Sequence, residues 1–102
     1  MKDYPMEVNG WNYSLDADSM SYWKDFGDNR ILRTEAVALC WLDTVEGDEG
    51  YNPEGDCYCC IWAEGCNEDE ALEGLYSSNA CFGDVMRREE AEKHLIEYMM
   101  KH

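Results

Sequence analysis

The most constraining feature of this chain is a stretch of 53 residues, 34–86, that contains no lysine and no arginine. It carries thirteen carboxylates, all six cysteines and two of the four tryptophans, so all eight basic residues lie in its flanks. Purely acidic segments stay disordered, but the chain is 45% hydrophobic and 13% aromatic, which is enough material for a core. The sequence therefore predicts an apolar frame that displays charge of one sign.

The charge of the whole chain restricts its partners. The 102 residues have the size of one domain and can bury roughly two-thirds of the unfolded surface. The net charge of −15 repels nucleic acids and anionic lipids and attracts basic surfaces. We therefore expect no direct binding to nucleic acid and no binding to membranes. The alternative is that the acidity only keeps the protein in solution.

The N-terminus and the cysteines indicate a cellular compartment. Residues 1–5 lack the apolar region of a signal peptide, and the longest apolar run, residues 37–42, is too short to cross a membrane. We therefore expect a cytoplasmic protein, in the host cell if the protein is phage-encoded, with reduced cysteines. An exported domain with three disulfides is the less favoured alternative.

The N-terminal residues predict a β-hairpin. Asn9-Gly10 is a strong signal for a two-residue turn. The turn places large side chains of both strands on one face of the hairpin. The predicted pairs are Tyr4 with Leu15, Met6 with Tyr13, and Val8 with Trp11.

The next segment predicts a short helix or a long loop. Asp18 or Ser19 can cap a helix that runs to about Phe26 and ends at Gly27. Met20, Trp23 and Phe26 recur at a spacing of three residues, as on one face of a helix.

Two apolar runs flank an acidic segment in the centre of the chain. Residues 35–44 can form a helix capped by Thr34, or residues 37–42 a buried strand; we favour the strand because Val, Cys and Trp suit it. Residues 46–56 hold three glycines, Asn-Pro and five carboxylates, which predicts a loop. Residues 57–63 predict a second strand, which makes the loop the tip of a long hairpin.

The C-terminal third predicts helix, strand and helix. Asn67 is the predicted cap of the first helix, which carries acids at 68–70 and ends at residues 77–79. Residues 80–86 predict a short strand, and residues 87–100 predict the last helix. The apolar stripes are Ala71, Leu72, Leu75 and Tyr76 in the first helix, and Ala91, Leu95, Tyr98 and Met99 in the last.

Together these elements predict one α+β domain over residues 1–102. We expect an antiparallel β-sheet that includes the N-terminal hairpin, with two or three helices packed on one face.

The cysteines do not show the spacing of a zinc site. Structural zinc sites use two Cys-x2–4-Cys pairs, and no such pattern is present. Cys57, Cys59, Cys66 and Cys81 could be brought together, but we expect buried apolar thiols, no metal and no cofactor. The acidic loop also lacks the ordered ligands of a calcium-binding EF-hand.

Catalytic residues are few. The two histidines are His94, beside the apolar stripe of the last helix, and the terminal His102, which we expect to be frayed. Neither has the flanking residues of a Cys–His enzyme, and the glycines of the acidic loop alternate with acids that repel phosphate. We therefore do not expect an enzyme.

The leading functional hypothesis is an inhibitor that occupies the basic groove of a nucleic-acid-binding protein. Duplex DNA presents one charge per roughly 1.7 Å, which a folded domain can imitate with many carboxylates on a rigid scaffold. The candidate partner-binding residues lie in the loop and at the start of the following helix. They are Glu46, Asp48, Glu49, Tyr51, Glu54, Asp56, Glu68, Asp69, Glu70 and Glu73.

In size and charge the whole chain resembles the small phage-encoded inhibitors of bacterial defence nucleases, the anti-CRISPR and anti-restriction DNA mimics. These inhibitors share no common motif, so the resemblance implies a class of function and assigns no residues. It implies a partner such as a CRISPR–Cas nuclease, whose DNA binding the protein would block.

The alternative hypothesis is a protein-interaction or regulatory module without nucleic-acid mimicry. In that case exposed aromatic side chains are the anchors, with Tyr51 and Trp23 as candidates, and the acids form a solvated face.

Overall fold

Two nine-residue strands form the centre of the protein because both are apolar on both faces. In the computed structural model, which describes residues 4–14, 20–28, 30–42 and 57–102, Thr34–Leu42 pairs antiparallel with Cys57–Gly65, from Thr34↔Gly65 to Leu42↔Cys57. The prediction of a strand rather than a helix after Thr34 is confirmed, as is the long hairpin. Residues 43–56, which include the predicted loop 46–56, lie outside the described residues.

Six strands of the described residues form one antiparallel sheet whose spatial order follows the chain. The elements are β1 (Glu7–Val8), β2 (Trp11–Tyr13), β3 (Ser21–Asp25), β4 (Thr34–Leu42), β5 (Cys57–Gly65), α1 (Glu68–Ser77), β6 (Ala80–Met86) and α2 (Arg88–Lys101). The predicted antiparallel sheet, both C-terminal helices and the strand between them are therefore confirmed, with bounds shifted by one or two residues.

The N-terminal hairpin is confirmed in its turn and only partly in its packing. Asn9 and Gly10 have φ values of 49° and 84°, as a tight hairpin turn between twisted strands requires, and Val8 pairs with Trp11 as predicted. The Tyr13 amide donates to the Met6 carbonyl at 3.0 Å, but the Met6 side chain is 60% exposed. Leu15 lies outside the described residues.

The predicted helix ending near Phe26 is wrong in its described part, which forms β3. This strand pairs with β4 over its full length, from Ser21↔Ala38 to Asp25↔Thr34. The three-residue spacing of Met20, Trp23 and Phe26 is typical of a helix, but hydrogen bonds with β4 stabilise this segment as a strand. Side chains alternate instead, so Tyr22 lies on one face of the sheet and Trp23 on the other.

The two helices lie on opposite faces of the sheet, so the prediction of helices on one face is wrong. Helix α2 covers the larger cluster, here the α2 core, whose buried members are Val8, Trp11, Met20, Tyr22, Val37, Leu39, Tyr58, Cys60, Ala91, Leu95 and Met99. Helix α1 covers the α1 core, which comprises Ala36, Ala38, Cys59, Ile61, Ala63, Ala71 and Leu75. Because β4 and β5 are apolar on both faces, each face needs a cover to exclude water.

Neither of the two helices in the described part of the chain is both long enough and apolar enough to cross a lipid bilayer.

Candidate interaction surface

Helix α1 begins where its cap was predicted. The Asn67 side chain accepts a hydrogen bond from the Glu70 amide at 2.9 Å, and the Glu70 carboxylate accepts one from the Cys66 amide at 2.8 Å. These two bonds satisfy two donors at the entrance to the helix, much as in a capping box. Ala71 and Leu75 are buried against the sheet, so the opposite side of α1 faces solvent.

Small residues allow α1 to lie close to the sheet. The backbone of Gly65 passes so near the helix that a Cβ there would lie 2.5 Å from the Glu70 Cβ and 2.6 Å from the Ala71 nitrogen. A Cβ on Gly74 would lie 2.9 Å from the Ala63 Cβ. This close contact holds the helix on a rigid support, as a binding surface requires.

All charged residues of α1 are carboxylates. Glu68, Asp69, Glu70 and Glu73 are all exposed, and no base of the described residues lies within ion-pair distance of them. The helix dipole favours the acids of the first turn, Glu68, Asp69 and Glu70. Glu73 lies beyond that turn and is a like-charged i+4 neighbour of Asp69, an arrangement that destabilises a helix by about 0.2–0.5 kcal/mol.

The basic side chains with recorded contacts lie on the other face or at the ends of the sheet. Lys24 donates to the carbonyls of Asn9 and His102, and Arg33 pairs with Glu35 and Glu64. Arg88, Lys93 and Lys101 belong to α2, and Arg87 directly precedes it. The sheet thus separates an acidic face with α1 from a mixed-charge face with α2.

The segment that holds the predicted loop residues and the helix that holds the others attach to opposite ends of the central hairpin. Glu46, Asp48, Glu49, Tyr51, Glu54 and Asp56 lie outside the described residues, but their segment joins the sheet at Leu42 and Cys57. Helix α1 begins just after Gly65, at the other end of β5. The eight steps along β5 separate the two points by ~26 Å. Of the ten predicted residues, the structure describes Glu68, Asp69, Glu70 and Glu73, which it brings together on α1.

A pocket of about 360 Å³ is lined by residues from both sides of the sheet, and Leu39, Tyr58 and Arg88 line it from the α2 side. Its apolar lining includes Ala38, Cys40, Ile61 and Leu75, and the aromatic side chains of Tyr76 and Trp41 border it. Tyr76, predicted on the buried stripe of α1, is 77% exposed, and Trp41 is 56% exposed. Nothing in the local sequence pattern indicated their exposure, since both continue apolar runs.

Trp23 and the two histidines, which were also singled out from the sequence, make contacts within the protein. Trp23 is half-buried against the α1 core and is not an exposed anchor. His94 lies beside the Phe82 ring, with centroids 5.8 Å apart. The expected fraying of His102 is not seen: its ring stacks on Tyr98 with centroids 4.3 Å apart, and its carbonyl accepts a hydrogen bond from Lys24.

The cysteines are free thiols, and the expectation that they are buried is wrong for Cys66 and Cys81, which are exposed. Cys57 and Cys59 are buried on the α1 side, and Cys60 is buried in the α2 core. Among residues 4–14, 20–28, 30–42 and 57–102, no group of three or more His, Cys, Asp or Glu side chains has the geometry of a metal site.

Comparisons of the chain with protein-family models, with curated protein sequences and with solved structures gave no match.

Proposed function

We propose that this protein is an acidic inhibitor that binds the basic groove of a nucleic-acid-binding protein, such as a CRISPR–Cas nuclease, and blocks its DNA binding. The observation that supports the proposal is the separation of charge by the sheet. The α1 face carries Glu68, Asp69 and Glu73 without a described base beside them, whereas α2 mixes both signs. A charge needed only for solubility has no reason to collect on one side of a domain.

The spacing of the carboxylates supports the same proposal. Residues three or four apart on a helix have Cβ atoms about 5–6 Å apart, which is similar to the roughly 7 Å between phosphates along one DNA strand at 3.4 Å of rise per nucleotide. Helix α1 and the attachment points of the acidic loop span ~26 Å of the sheet. A duplex of that length carries about fifteen charges. A groove that binds DNA would therefore meet both acidic groups in one interface.

The test uses immobilised protein, a bacterial lysate at low salt and a panel of purified Cas effectors. We expect the protein to retain nucleic-acid-binding proteins, and excess duplex DNA to release them by competition. Each retained effector should bind a labelled DNA duplex more weakly when the protein is added. This inhibition should weaken steeply as the salt concentration rises. Retained proteins that excess DNA does not displace would contradict mimicry.

A matched pair of variants locates the surface. The first, Glu68→Gln/Asp69→Asn/Glu73→Gln, removes three charges from α1. The control, Glu89→Gln/Glu90→Gln/Glu97→Gln, removes three exposed charges from α2 on the other face. We expect the α1 variant to weaken inhibition at least tenfold and the control to change it by less than about threefold. Equal losses would mean that net charge alone matters.

A second variant tests the loop. Neutralising Asp48, Glu49, Glu54 and Asp56 together removes charge at the other end of the hairpin. If the partner spans both groups, this variant and the α1 variant should each weaken inhibition. If only one of the two variants weakens inhibition, the interface is restricted to the end of the hairpin that carries its substitutions.

The pocket favours one second candidate, an interaction module anchored by aromatic side chains. Tyr76 and Trp41 border a largely apolar pocket and are more than half exposed, as binding anchors are before association. In this case Tyr76→Ala and Trp41→Ala should weaken partner binding more than any loss of carboxylates. Leu32→Ala is the control, because Leu32 is 74% exposed away from this pocket.

A further inference from the structure

We propose that Cys59 and Cys81 form a reversible disulfide, with Cys81 as the first thiol to react. The two Sγ atoms lie 3.4 Å apart, from β5 to the neighbouring strand β6. Cys81 is exposed, whereas only 2% of Cys59 is exposed. A disulfide bond is about 2.05 Å long, so rotation of the side chains by a modest amount closes the gap. This inference does not depend on the proposed inhibitory function.

The pairing of the strands explains why these two thiols meet. Cys81 lies opposite Ile61, and Cys59 lies at a shift of register between Tyr58 and Cys60. The irregularity leaves Cys59 diagonal to Cys81 on the α1 side of the sheet. Strand β4 lies next to β5 on the edge away from β6, and its Cys40 is directly opposite Cys59. The Cys40 Sγ, however, is directed to the Trp41 carbonyl at 3.6 Å. Cys81 is therefore the partner within reach.

The oxidant required is a low-molecular-weight disulfide of the glutathione type. The Cys81 thiol loses its proton to water, its sulfur attacks the small disulfide, and one small thiolate leaves and takes up a proton. The Cys59 thiol then loses its proton, attacks Cys81 Sγ and displaces the second small thiolate. Two protein thiols are oxidised to one disulfide, and one small disulfide is reduced to two small thiols.

The environments of the thiols decide the order of these steps. Burial, with the contact to Cys81 as a further cause, raises the pKa of Cys59 to about 12, so the buried thiol does not start the reaction. Cys66 is the other exposed thiol of the described residues, and the nearby Glu70 carboxylate raises its pKa. No described cysteine lies within hydrogen-bonding distance of Cys66, so a mixed disulfide formed there has no thiol to resolve it.

The bond would fasten an edge strand of the sheet. Strand β6 is an edge strand with no fully buried residue, and its pairing with β5 is interrupted by the register shift. A covalent link at this shift closes a loop that contains α1. Oxidation is therefore expected to stabilise β6 and the attachment of α1, and reduction to release them.

The experiment uses the full chain with Cys66→Ser, which removes the competing exposed thiol. The reduced protein is incubated with oxidised glutathione, remaining thiols are blocked with N-ethylmaleimide, and intact mass and peptide mapping follow. We expect the loss of two hydrogens, two fewer maleimide labels, and a Cys59–Cys81 cross-link. The Tm should rise by about 10 °C or more and return on addition of dithiothreitol.

Two further variants make the result decisive. When Cys59→Ala is added to the Cys66→Ser protein, one glutathione should remain on Cys81, because no thiol displaces it. Adding Cys81→Ser changes an exposed position and should abolish the internal disulfide while the protein stays folded. A glutathione that persists on Cys81 while Cys59 is present would overturn the proposal. A disulfide that maps to Cys40, or no reaction at Cys81, would overturn it equally.

Discussion

The indole nitrogen of Trp62 donates a hydrogen bond of 2.7 Å to the Glu35 carboxylate, across the central strands β5 and β4. Glu35 is only 5% exposed, and Arg33 also donates to it. The carboxylate in turn contributes to a raised pKa of Tyr98, whose main cause is burial of that hydroxyl. Glu35 is thus a structural acid that links β4, β5 and α2, unlike the exposed carboxylates of α1.

We expect Glu35→Ala to lower the free energy of unfolding by about 2–3 kcal/mol, because the half-buried Trp62 donor loses its acceptor. Urea denaturation at neutral pH measures this change. Glu64→Ala is the control, since Glu64 pairs with Arg33 at the surface and its loss should cost under ~1 kcal/mol. Equal effects of the two substitutions would show that Glu35 is not the acceptor on which Trp62 depends.

The close contact of α1 with the sheet predicts that a single added methyl group lowers the stability of the protein by an unusual amount. Gly65→Ala places a Cβ against the α1 backbone and should destabilise the protein by about 1–3 kcal/mol, because the helix must move. Thermal denaturation is the measurement. At Gly74→Ala the new Cβ meets one methyl group, and the gain in helix propensity of ~1 kcal/mol opposes the crowding. A larger loss at Gly74 than at Gly65 would contradict the structure.

Buried hydroxyl and thiol groups predict a loss of stability at alkaline pH. Burial raises the pKa of Tyr22 to about 12 and that of Cys60 to about 12, from ordinary values of 10.0 and 9.0. A group with a raised pKa contributes its full stability below its unfolded pKa and loses it as pH rises to the folded value. Stability should therefore fall from about pH 9 to pH 12.

Tyr22→Phe provides the control for this pH dependence. The substitution removes one titrating group and its 2.7 Å hydrogen bond to the Pro5 carbonyl, at a cost of about 1 kcal/mol at neutral pH. The slope of stability against pH should become less steep between pH 10 and 12, and the slope below pH 10 should not change. An unchanged slope in the higher range would mean that Tyr22 already ionises as in the unfolded chain.

The net charge of −15 predicts a gain in stability with salt. Like charges repel more strongly in the compact state, and the screening length shortens to about 8 Å at physiological ionic strength. The Tm should therefore rise between low and moderate sodium chloride. A Tm that falls over this range would show that favourable ion pairs outweigh the repulsion.

The acidic α1 and the central hairpin were predictable because their signals are local. Asn67 and the acids after it mark a helix start within one turn, and two apolar runs around a glycine-rich segment mark a hairpin. β3 was mispredicted because Met20, Trp23 and Phe26 imitate helical spacing, and only pairing with β4 reveals the strand. Tyr76 was misplaced because it continues the apolar stripe of α1, and only the packed structure shows that it is 77% exposed.

By itself, the sequence determined the sign of the charge, the types of most elements and the alternation of side chains along β5. These properties depend on residues within a few positions of one another. The tertiary structure decided which face of the sheet each helix covers, because the two apolar faces form, and can be buried by helices, only after the strands have paired. It also decided that Cys59 meets Cys81 and that α1 lies ~26 Å along the strand from the loop attachment. Such distances arise from pairing between residues far apart in the chain, which no local pattern contains.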